Sequence, residues 1–436
     1  TNNGSTWSTI ASNITASLGS YTWTVPDNIS STCKIRVSDQ SDFSCNDESD
    51  QNFSIIKPVT LALTYPNGGE SWKIGTVKNI TWNSEGVGDV RLEYSTDLGS
   101  NWTTIVNSTP ASEHTYSFTV PYEVAYEWKV RITDVSEPSR SDISDGLLIT
   151  YDALPESVSP LLSIEYPVFV WPLNAYYPTT TPDDDQVVNG RVGNACGPTV
   201  VANLLRYWEF PLKGTGSRTF TDHLNCTWSA NFGETYYKYD QMPKYVAPNA
   251  TQEVYDPVAT MMYHAGVAMH NPYRTGAREG VIEAFHEFFN YSRKSKFLYR
   301  NDYTPEQWDK IFKSEFAQKR PIVIGGDGGV LPDGSVGGHW FICDGYNSAN
   351  KFHIRWDYGE NSNEYLPLYE FKPFHVNNWA LVYLEPDRHG EELTLTSPAG
   401  FESWQQGVTQ TIRWASSGIT SLKIEYSINN GADYVT

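Results

Sequence analysis

The sequence has little positive charge and no apolar run long enough to cross a bilayer. Its 436 residues include 31 Lys and Arg against 51 Asp and Glu, a formal net charge of −20. Such a surface repels the phosphates of nucleic acids and of anionic lipid headgroups. No stretch approaches the roughly 18 apolar residues of a membrane-spanning helix. We therefore expect no nucleic-acid partner and no membrane span.

Cysteine is also scarce, and the five cysteines fit a disulfide-rich exported protein only loosely. Cys33 and Cys45 flank a hairpin-like segment, and this spacing is compatible with a local disulfide or with two free thiols. His264 and His270 are too far apart in sequence for a common metal-ligand spacing. The acidic run 183–185 is typical of a solvated loop, and calcium binding by its carboxylates is the alternative. We expect neither a metal nor another cofactor.

Aromatic residues, by contrast, are abundant. They make up 14% of the chain, with 15 Trp and 28 Tyr, and they stand among many Ser, Thr and Asn. This composition is typical of β-rich extracellular modules, so we predict a secreted or cell-surface location. The length allows about three domains.

Two internal repeats divide the chain. Residues 1–55 match 96–150 at an offset of 95, and residues 393–434 match 61–102 at an offset of 332. The paired residues include Trp7 and Trp102, Asp39 and Asp134, Trp72 and Trp404, and Trp82 and Trp414. We therefore predict the back half of one repeat, one whole repeat and the front half of another.

The repeats predict all-β modules around a different central domain. Residues alternate between apolar and polar at 89–94 and at 127–132, which indicates strands. An all-β unit of this length is most simply an immunoglobulin-like sandwich. The predicted boundaries are a half module at 1–57, a complete module at 58–150, an α+β domain at 151–389 and a half module at 390–436.

One hairpin turn of the repeat resembles the Asp-box of sialidases. The segment Ser95–Trp102 has the Ser-x-Asp-x-Gly-x-x-Trp pattern, in which Asp and Ser bond to the backbone and Trp packs beneath. We interpret this segment as structural. Glycan binding by the Trp-rich modules stays open as an alternative.

A glycine-flanked cysteine begins one helical stretch. The motif runs from Gly193 to Thr199 around Cys196, and the apolar residues after Pro198 recur at helical spacing. Proline suits a first turn, where its missing N–H is not needed. Cys196 should therefore lie at a helix N-terminus, where unpaired N–H groups and the helix dipole favour a thiolate. This makes it a candidate nucleophile.

A glycine-flanked histidine begins a strand later in the chain. The segment Gly337–Gly345 starts Gly-Gly-His, with His339, and ends Asp-Gly. A second strand, Phe352–Trp356, follows and ends in polar residues that could orient the imidazole. A single cysteine or histidine is more often a structural residue. The two motifs together indicate a cysteine nucleophile served by a histidine base.

These motifs resemble the streptopain family of papain-like cysteine peptidases. The family has Gly-Cys before a helix and later Gly-His-Ala-Phe-Val-Ile-Asp-Gly, where this chain has Cys196 and Gly338–Gly345. The similarity extends over about residues 158–386. It implies a papain-like α+β fold and endopeptidase activity, with Cys196 attacking the scissile carbonyl and His339 as base and acid. It also implies that Trp356 shields the histidine.

The residue that should orient the histidine departs from the family pattern. Arg355 stands where the family has asparagine, and a guanidinium cannot accept the imidazole N–H. Asp357 lies two residues on, which is the same face of a strand. We therefore expect a triad of Cys196, His339 and Asp357. Asp344 is the rival carboxylate, but it should point to the opposite face from His339.

The oxyanion-stabilising glutamine of the family is missing from its usual place. The comparable segment Val168–Asn174 has no Gln, and Gln186 is the only Gln between Tyr151 and Cys196. Gln186, with the Cys196 N–H, is the candidate oxyanion donor. Loss of one donor typically costs about a hundredfold in rate. Bacteriocin-leader-processing peptidases also share the cysteine motif, but they carry Gln where this chain has Gly190.

After residue 151 the pattern predicts helices first and an antiparallel sheet second, with an irregular stretch at 220–248. The expected helices are 257–269, 278–290 and 305–319, the last with a capping box from Thr304 to Gln307. The expected strands are 321–325, 339–344, 352–357 and 380–385. The glycine-rich link from Gly325 to Gly338 predicts a mobile loop beside the cleft.

We predict a secreted, multidomain cysteine endopeptidase that acts on protein or peptide substrates. Two other classes stay open. One is an adhesin or glycan-binding surface protein with an inactive papain-like domain, favoured by Arg355 and the missing glutamine. The other is a cysteine amidase or transferase acting on cell-wall peptides. No propeptide is recognisable before residue 158, and the missing signal peptide says nothing about export because the chain begins within a repeat.

Overall fold

The computed structural model describes most of the chain. The described residues are 4–163, 187–188, 191–192, 196–221, 227–244, 251–270, 278–330, 336–356, 363–368, 371, 374, 376–387, 392–398, 403–417 and 422–427. They divide into two compact units, Thr1–Ala153 and Leu154–Thr436. Each unit contains a buried apolar core of its own.

The first unit is built of short strands, as the alternation of apolar and polar residues predicts. The strands are β1 (Ser30–Cys33), β2 (Arg36–Ser38), β3 (Asn46–Glu48), β4 (Phe53–Ile55), β5 (Thr60–Tyr65), β6 (Ser71–Lys73), β7 (Val77–Glu85), β8 (Asp89–Ser95), β9 (Thr103–Pro110), β10 (Thr115–Thr119), β11 (Lys129–Asp134), β12 (Ser141–Ile143) and β13 (Ile149–Tyr151). Two single turns of 3-10 helix, Ala16–Leu18 and Ala111–Glu113, lie between them.

Two antiparallel sheets enclose the core of this unit. One has the order β10-β7-β5 and the other β12-β11-β8-β9, while β13 pairs with β6 in parallel. Both sheets contribute to one cluster, with Trp82 from the first and Ile132 from the second almost fully buried. Burial of this apolar surface, at about 25 cal/mol per Å², is the main stabilising contribution.

The turn between β8 and β9 is held by side-chain hydrogen bonds, which confirms the structural interpretation of the Asp-box segment. The Ser95 hydroxyl accepts from the Gly99 N–H at 2.8 Å and donates to Asp97 Oδ1 at 2.7 Å. This bond from Ser95, with further bonds in the turn, lowers the pKa of Asp97 to about 2. The Trp102 ring packs against the Arg131 guanidinium, 4.2 Å from its centroid.

The hairpin β2–β3 has the same strand register as the hairpin β11–β12, which lies 95 residues further along the chain. Arg36 lies 4.3 Å from the centroid of the Trp7 ring, and Arg131 lies 4.2 Å from that of Trp102. Local pairing therefore follows the sequence repeat.

No disulfide joins Cys33 and Cys45, which are both free thiols. Cys33 is buried at the end of β1, where its thiol lies 3.7 Å from the Ser30 carbonyl oxygen that accepts from it. Cys45 is exposed in the turn before β3. The hairpin that they flank does form between β2 and β3, but one thiol faces the interior and the other faces solvent.

The second unit combines helices with antiparallel strands. Its strands are β14 (Val187–Val188), β15 (Arg191–Val192), β16 (Ser217–Thr221), β17 (Thr227–Asn231), β18 (Lys296–Tyr299), β19 (Ile322–Val330), β20 (Val336–Tyr346), β21 (Phe352–Arg355), β22 (Glu364–Leu366), β23 (Val376–Val382), β24 (Glu392–Ser397) and β25 (Arg413–Ser417). Its helices are α1 (Cys196–Trp208), α2 (Gln252–Ala268), α3 (Arg278–Glu283, continued by a π-helical turn Ala284–Phe288) and α4 (Pro305–Ala317). Single 3-10 turns lie at Phe232–Glu234, Tyr239–Gln241 and Arg300–Asp302.

A six-stranded antiparallel sheet organises this unit, in the order β18-β23-β19-β20-β21-β22. α1 packs against one of its faces, where Leu204 of α1 and Ile342 of β20 belong to the same buried cluster, and α2 packs against α1. The predicted plan of helices before an antiparallel sheet is therefore confirmed. The hairpin β24–β25 pairs Leu395 with Trp414, which is the pairing of Leu63 with Trp82 shifted by 332.

Helix boundaries agree with the sequence where a cap defines them. α4 begins at the predicted box, in which Thr304 Oγ1 accepts from the Gln307 N–H and Gln307 Oε1 accepts from the Thr304 N–H. α2 begins at Gln252, so the expected start at Pro257 is wrong: the helix continues through the proline, which removes one main-chain donor. Part of the stretch expected to be irregular forms the hairpin β16–β17.

The expected mobile glycine-rich loop is wrong for its described residues. Gly325 and Gly326 lie inside β19, and Gly338 lies inside β20. A Cβ atom at Gly325 would overlap the Trp379 ring, and one at Gly326 would overlap the Asn378 amide. These glycines therefore allow close packing against the neighbouring strand.

Candidate active site

Cys196 is the first residue of α1, as the sequence predicts. Its side chain is half-buried, whereas Val200 and Leu204 on the core side of the helix are fully buried. This packing fixes the helix and therefore the position of its first residue. The N–H groups of the first turn and the positive end of the helix dipole favour the thiolate form of such a cysteine.

A close contact joins the start of α1 to the strand that carries His339. A Cβ atom at Gly197 would lie 2.8 Å from Met269 Cε and 3.2 Å from the Trp340 ring. A side chain at this position would therefore have to displace the flexible end of Met269 and press on the Trp340 ring. The residue after the cysteine thus packs against the residue after the histidine, so the start of α1 lies against β20 at the residue that follows His339.

His339 lies on the other face of β20, inside an aromatic cluster. Its ring centroid is 5.1 Å from that of Phe374, 6.1 Å from that of Phe341 and 6.3 Å from that of Trp356. The side chain is only 4% exposed. The imidazole is therefore held in one orientation by packing.

The main-chain carbonyl of Trp356 fixes the tautomer of His339. The His339 Nε2 and the Trp356 carbonyl oxygen are 2.9 Å apart. A carbonyl oxygen only accepts, so Nε2 must carry the hydrogen in this bond. In the neutral imidazole, Nδ1 then holds the lone pair and is the nitrogen that takes up a proton.

Burial and this hydrogen bond act in opposite directions on His339. Burial lowers the pKa of His339, since it disfavours the charged imidazolium, and the bond to the Trp356 carbonyl raises that pKa. The net pKa is lowered. A thiolate beside the ring would supply the opposite charge that an imidazolium needs in this site.

The side chain of Trp356 lies where the resemblance implies, against the histidine. Its ring is 7% exposed, and its Nε1–H donates to Glu364 Oε1 at 3.0 Å. The role of the Trp356 main chain was missed at the sequence level. No sequence signal could have revealed it, because every residue carries a carbonyl group.

Two predicted site residues, Asp357 and Gln186, lie outside the described residues. Their expected roles, orienting the imidazole and stabilising the oxyanion, stay predictions. Within the described residues, the group that bonds to His339 Nε2 is the Trp356 carbonyl.

Arg355 and Asp344 point away from His339, on the opposite face of the sheet. The Arg355 Nη1–H donates to the Leu162 carbonyl oxygen at 3.2 Å. Asp344 is fully buried and bonds to His353 Nδ1 at 2.6 Å. Asp344 is therefore not an alternative partner of His339, as its odd spacing from His339 along the strand predicts. The guanidinium does not face the imidazole either.

Two other titratable residues of this unit, Cys343 and His264, are buried in the core. Cys343 is fully buried, and burial raises the pKa of its thiol, so it is not a second nucleophile. His264 bonds through Nδ1 to the Tyr237 hydroxyl at 2.9 Å. Among the described residues, no group of three or more His, Cys, Asp or Glu is arranged to hold a metal ion.

Comparison with known proteins agrees with this arrangement. Residues 171–366 match the model of the Peptidase C10 family. The chain contains a Peptidase C10 domain. This match includes Cys196, His339 and the residues around Trp356, and the predicted streptopain-like cysteine peptidase domain is thereby confirmed.

Two curated relatives share the Peptidase C10 region. Thiol protease/hemagglutinin PrtT of Porphyromonas gingivalis is 28% identical over 232 residues, which is 49% of this chain and 25% of the relative. Streptopain of Streptococcus pyogenes is 22% identical over 204 residues, 44% of this chain and 50% of the relative. The chain thus spans about a quarter of the first relative and half of the second.

Among solved structures, active interpain A cysteine protease of Prevotella intermedia is 26% identical, with a TM-score of 0.44. The match covers 53% of this chain and 96% of the interpain chain. A prointerpain A fragment of the same organism has a TM-score of 0.43 and 24% identity, over 53% of this chain and 73% of that fragment. Of the helices in the described part of the chain, none is long and apolar enough to span a membrane.

Proposed function

We propose that this chain is a cysteine endopeptidase in which Cys196 is the nucleophile and His339 is the base and acid. Two observations carry the proposal. Cys196 begins a helix whose second residue packs against Trp340, and His339, the residue before Trp340, bonds through Nε2 to a carbonyl oxygen. The Peptidase C10 match supports the same reaction class. Its substrates are proteins or peptides.

The reaction begins with proton transfer from the Cys196 thiol to His339 Nδ1. The thiolate attacks the scissile carbonyl carbon, a C–S bond forms, and the carbonyl electron pair moves to the oxygen. The oxyanion lies at the start of α1, where the Cys196 N–H donates to it. Gln186 is the proposed second donor.

The tetrahedral intermediate then collapses. The C–N bond breaks while the His339 Nδ1–H protonates the leaving amine, and an acyl-enzyme remains on Cys196. His339 Nδ1 next deprotonates a water molecule, which attacks the acyl carbon. The C–S bond breaks and the thiolate returns. The Trp356 carbonyl keeps the ring in one tautomer throughout, and Asp357 is proposed as an additional partner of the imidazole.

An active-site label tests this proposal. An epoxysuccinyl inhibitor of papain-like enzymes should add one inhibitor mass to the reduced wild-type protein and none to Cys196→Ala. Cys45→Ala is the matched control, because Cys45 is a free thiol that is exposed on the surface. This variant should still be labelled and should still cleave casein.

Two outcomes would contradict the proposal. One is an adduct on Cys196→Ala, which would locate the reactive thiol elsewhere. The other is a folded, reduced wild type that takes up no inhibitor and leaves casein intact. Amine incorporation without casein cleavage would instead indicate a transferase.

The β-rich segments are proposed to be immunoglobulin-like modules with the boundaries 1–57, 58–150 and 390–436 around a peptidase domain at 151–389. Support comes from the two sheets that share one core between Thr60 and Tyr151. It also comes from the strand registers that recur at offsets of 95 and 332. Their composition favours an extracellular or cell-surface location.

A further inference from the structure

A buried polar cluster lies between β20 and β21, on the face of the sheet opposite to His339. We call Asp344, His353 and Arg355 the Asp344 cluster. They are 0%, 9% and 6% exposed. Asp344 Oδ1 bonds to His353 Nδ1 at 2.6 Å, and its Oδ2 accepts the Leu162 N–H at 2.9 Å.

Arg355 completes this arrangement from the neighbouring strand. Its Nη1–H donates to the carbonyl oxygen of Leu162, and the same Nη1 is 3.8 Å from Asp344 Oδ2. The carboxylate and the guanidinium therefore hold the two ends of one residue, Leu162. Buried ion pairs often stabilise a fold little compared with apolar packing. Such a cluster calls for another role.

The position of the cluster suggests that role. β20 carries both His339 and Asp344, and Arg355 ends β21, one residue before Trp356. Side chains alternate along a strand, so Arg355 points into the cluster while the Trp356 ring packs on the His339 side. Trp356 directly follows Arg355, and only a few main-chain torsion angles lie between the Arg355 Cα and the Trp356 carbonyl that accepts from His339. Anchoring Arg355 therefore restricts the position of this carbonyl.

We propose that Arg355, held by Asp344, is a positioning residue for His339. Its side chain anchors the end of β21 to β20 and so fixes the Trp356 carbonyl at hydrogen-bond distance from the imidazole. This inference rests on the proposed function of the domain. It gives a role to the arginine that stands where the streptopain family has asparagine.

The test substitutes Arg355 by Met, which keeps the length of the side chain and removes its donors. We expect kcat to fall about tenfold to a hundredfold with KM within about twofold, because misplaced catalytic groups lose rate and not binding. The alkaline limb of kcat/KM should shift to lower pH, since the carbonyl bond that raises the pKa of His339 is loosened. Arg355→Lys, which keeps a charged donor, should recover part of the loss.

A direct readout is the tautomer of His339, followed by NMR on protein labelled with ¹⁵N-histidine and assigned with His339→Gln. The wild type should show hydrogen on Nε2, and Arg355→Met should show a mixture of tautomers. This spectrum does not depend on turnover. Failure of the inhibitor label would therefore count against the proposed function, and an unchanged tautomer would count against the positioning role.

Arg320→Met is the matched control. Arg320 is also a buried arginine of this unit, 8% exposed and bonded to Glu315 at 2.8 Å and 2.9 Å. It should lose stability while keeping the kcat, the alkaline limb and the tautomer. The proposal is wrong if both variants lose activity in parallel with stability, or if Arg355→Met matches the wild type in all three readouts. If Arg355→Met does not fold, Asp344→Asn takes its place with the same expectations.

Discussion

Two buried histidines of the second unit, His339 and His264, have contrasting hydrogen-bond partners. Both are nearly inaccessible, 4% and 6% exposed, and burial lowers the pKa of both. His264 lies within α2 and bonds to the Tyr237 hydroxyl. His339 lies in β20 and bonds to the carbonyl of Trp356.

The difference lies in what each partner can do. A hydroxyl both donates and accepts, so the Tyr237 bond leaves the tautomer of His264 undetermined. A main-chain carbonyl only accepts, so it fixes the hydrogen of His339 on Nε2 and leaves the lone pair on Nδ1, the nitrogen proposed to move the proton. Burial alone therefore does not distinguish the proposed catalytic histidine from a structural one.

The sharpest test of this comparison replaces each histidine in turn. His339→Gln should lower kcat/KM by about 10⁴-fold or more, because no group remains to move the proton. His264→Gln should stay within about threefold of the wild type, since the side chain serves packing. Hydrolysis of a fluorogenic peptide measures both.

The folded state of each variant is the control for that result. Tryptophan fluorescence should show that both retain the fold at neutral pH. Comparable losses of activity in the two folded variants would contradict the assignment of a catalytic role to His339 and a structural role to His264.

Acid stability is the next largest effect, and it depends on His264. Its pKa is lowered to about 4 by burial, whereas in the unfolded chain it is about 6.5. Its contribution is therefore fully present above pH 6.5 and is lost as the pH falls toward 4, because the unfolded state takes up the proton first. The loss amounts to about 3 kcal/mol. Urea unfolding measured between pH 7.5 and 4 should show this decline.

His264→Gln should flatten the pH dependence of the unfolding free energy in that range. Part of the decline should persist, since His339 also has a lowered pKa and acts in the same direction. A variant with the same slope as the wild type would mean that His264 is already charged in the folded state or is not buried.

The smallest expected effects come from the two hydrogen-bond partners. Trp356→Phe removes the bond to Glu364 but keeps the main-chain carbonyl, so kcat/KM for peptide hydrolysis should fall by no more than about fivefold. A loss of activity above a hundredfold would assign the orienting role to the ring.

Tyr237→Phe removes the hydroxyl itself and should cost about 1–3 kcal/mol of stability, because His264 Nδ1 loses its partner. Urea unfolding measures this loss.

Several features of the site could be predicted from local sequence. Proline after the cysteine and helical spacing located Cys196 at a helix start, and the Gly-Gly-His motif located His339 in a strand. The capping box of α4 was predicted residue by residue. Each of these depends on interactions within a few residues of the chain, which sequence patterns record directly.

Other features depend on residues far apart in sequence and were wrong or missed. The glycines of β19 suggested mobility, but Trp379 from a distant strand occupies the space that a Cβ would need. The hydrogen-bond acceptor of His339 is a carbonyl, and no residue type marks such a group. The spacing of Cys33 and Cys45 left a disulfide and two free thiols equally open, and the fold buries one thiol and exposes the other.

The sequence by itself determined the starts of α1 and α4, the repeats that the strand registers follow, and the presence of a cysteine and a histidine with the flanking glycines of a peptidase. Only the tertiary structure decided which atom orients His339 and that Arg355 turns away from it. The physical reason is that side-chain periodicity is local, whereas the Trp356 carbonyl and the Asp344 cluster depend on how β20, β21 and Leu162 pack together.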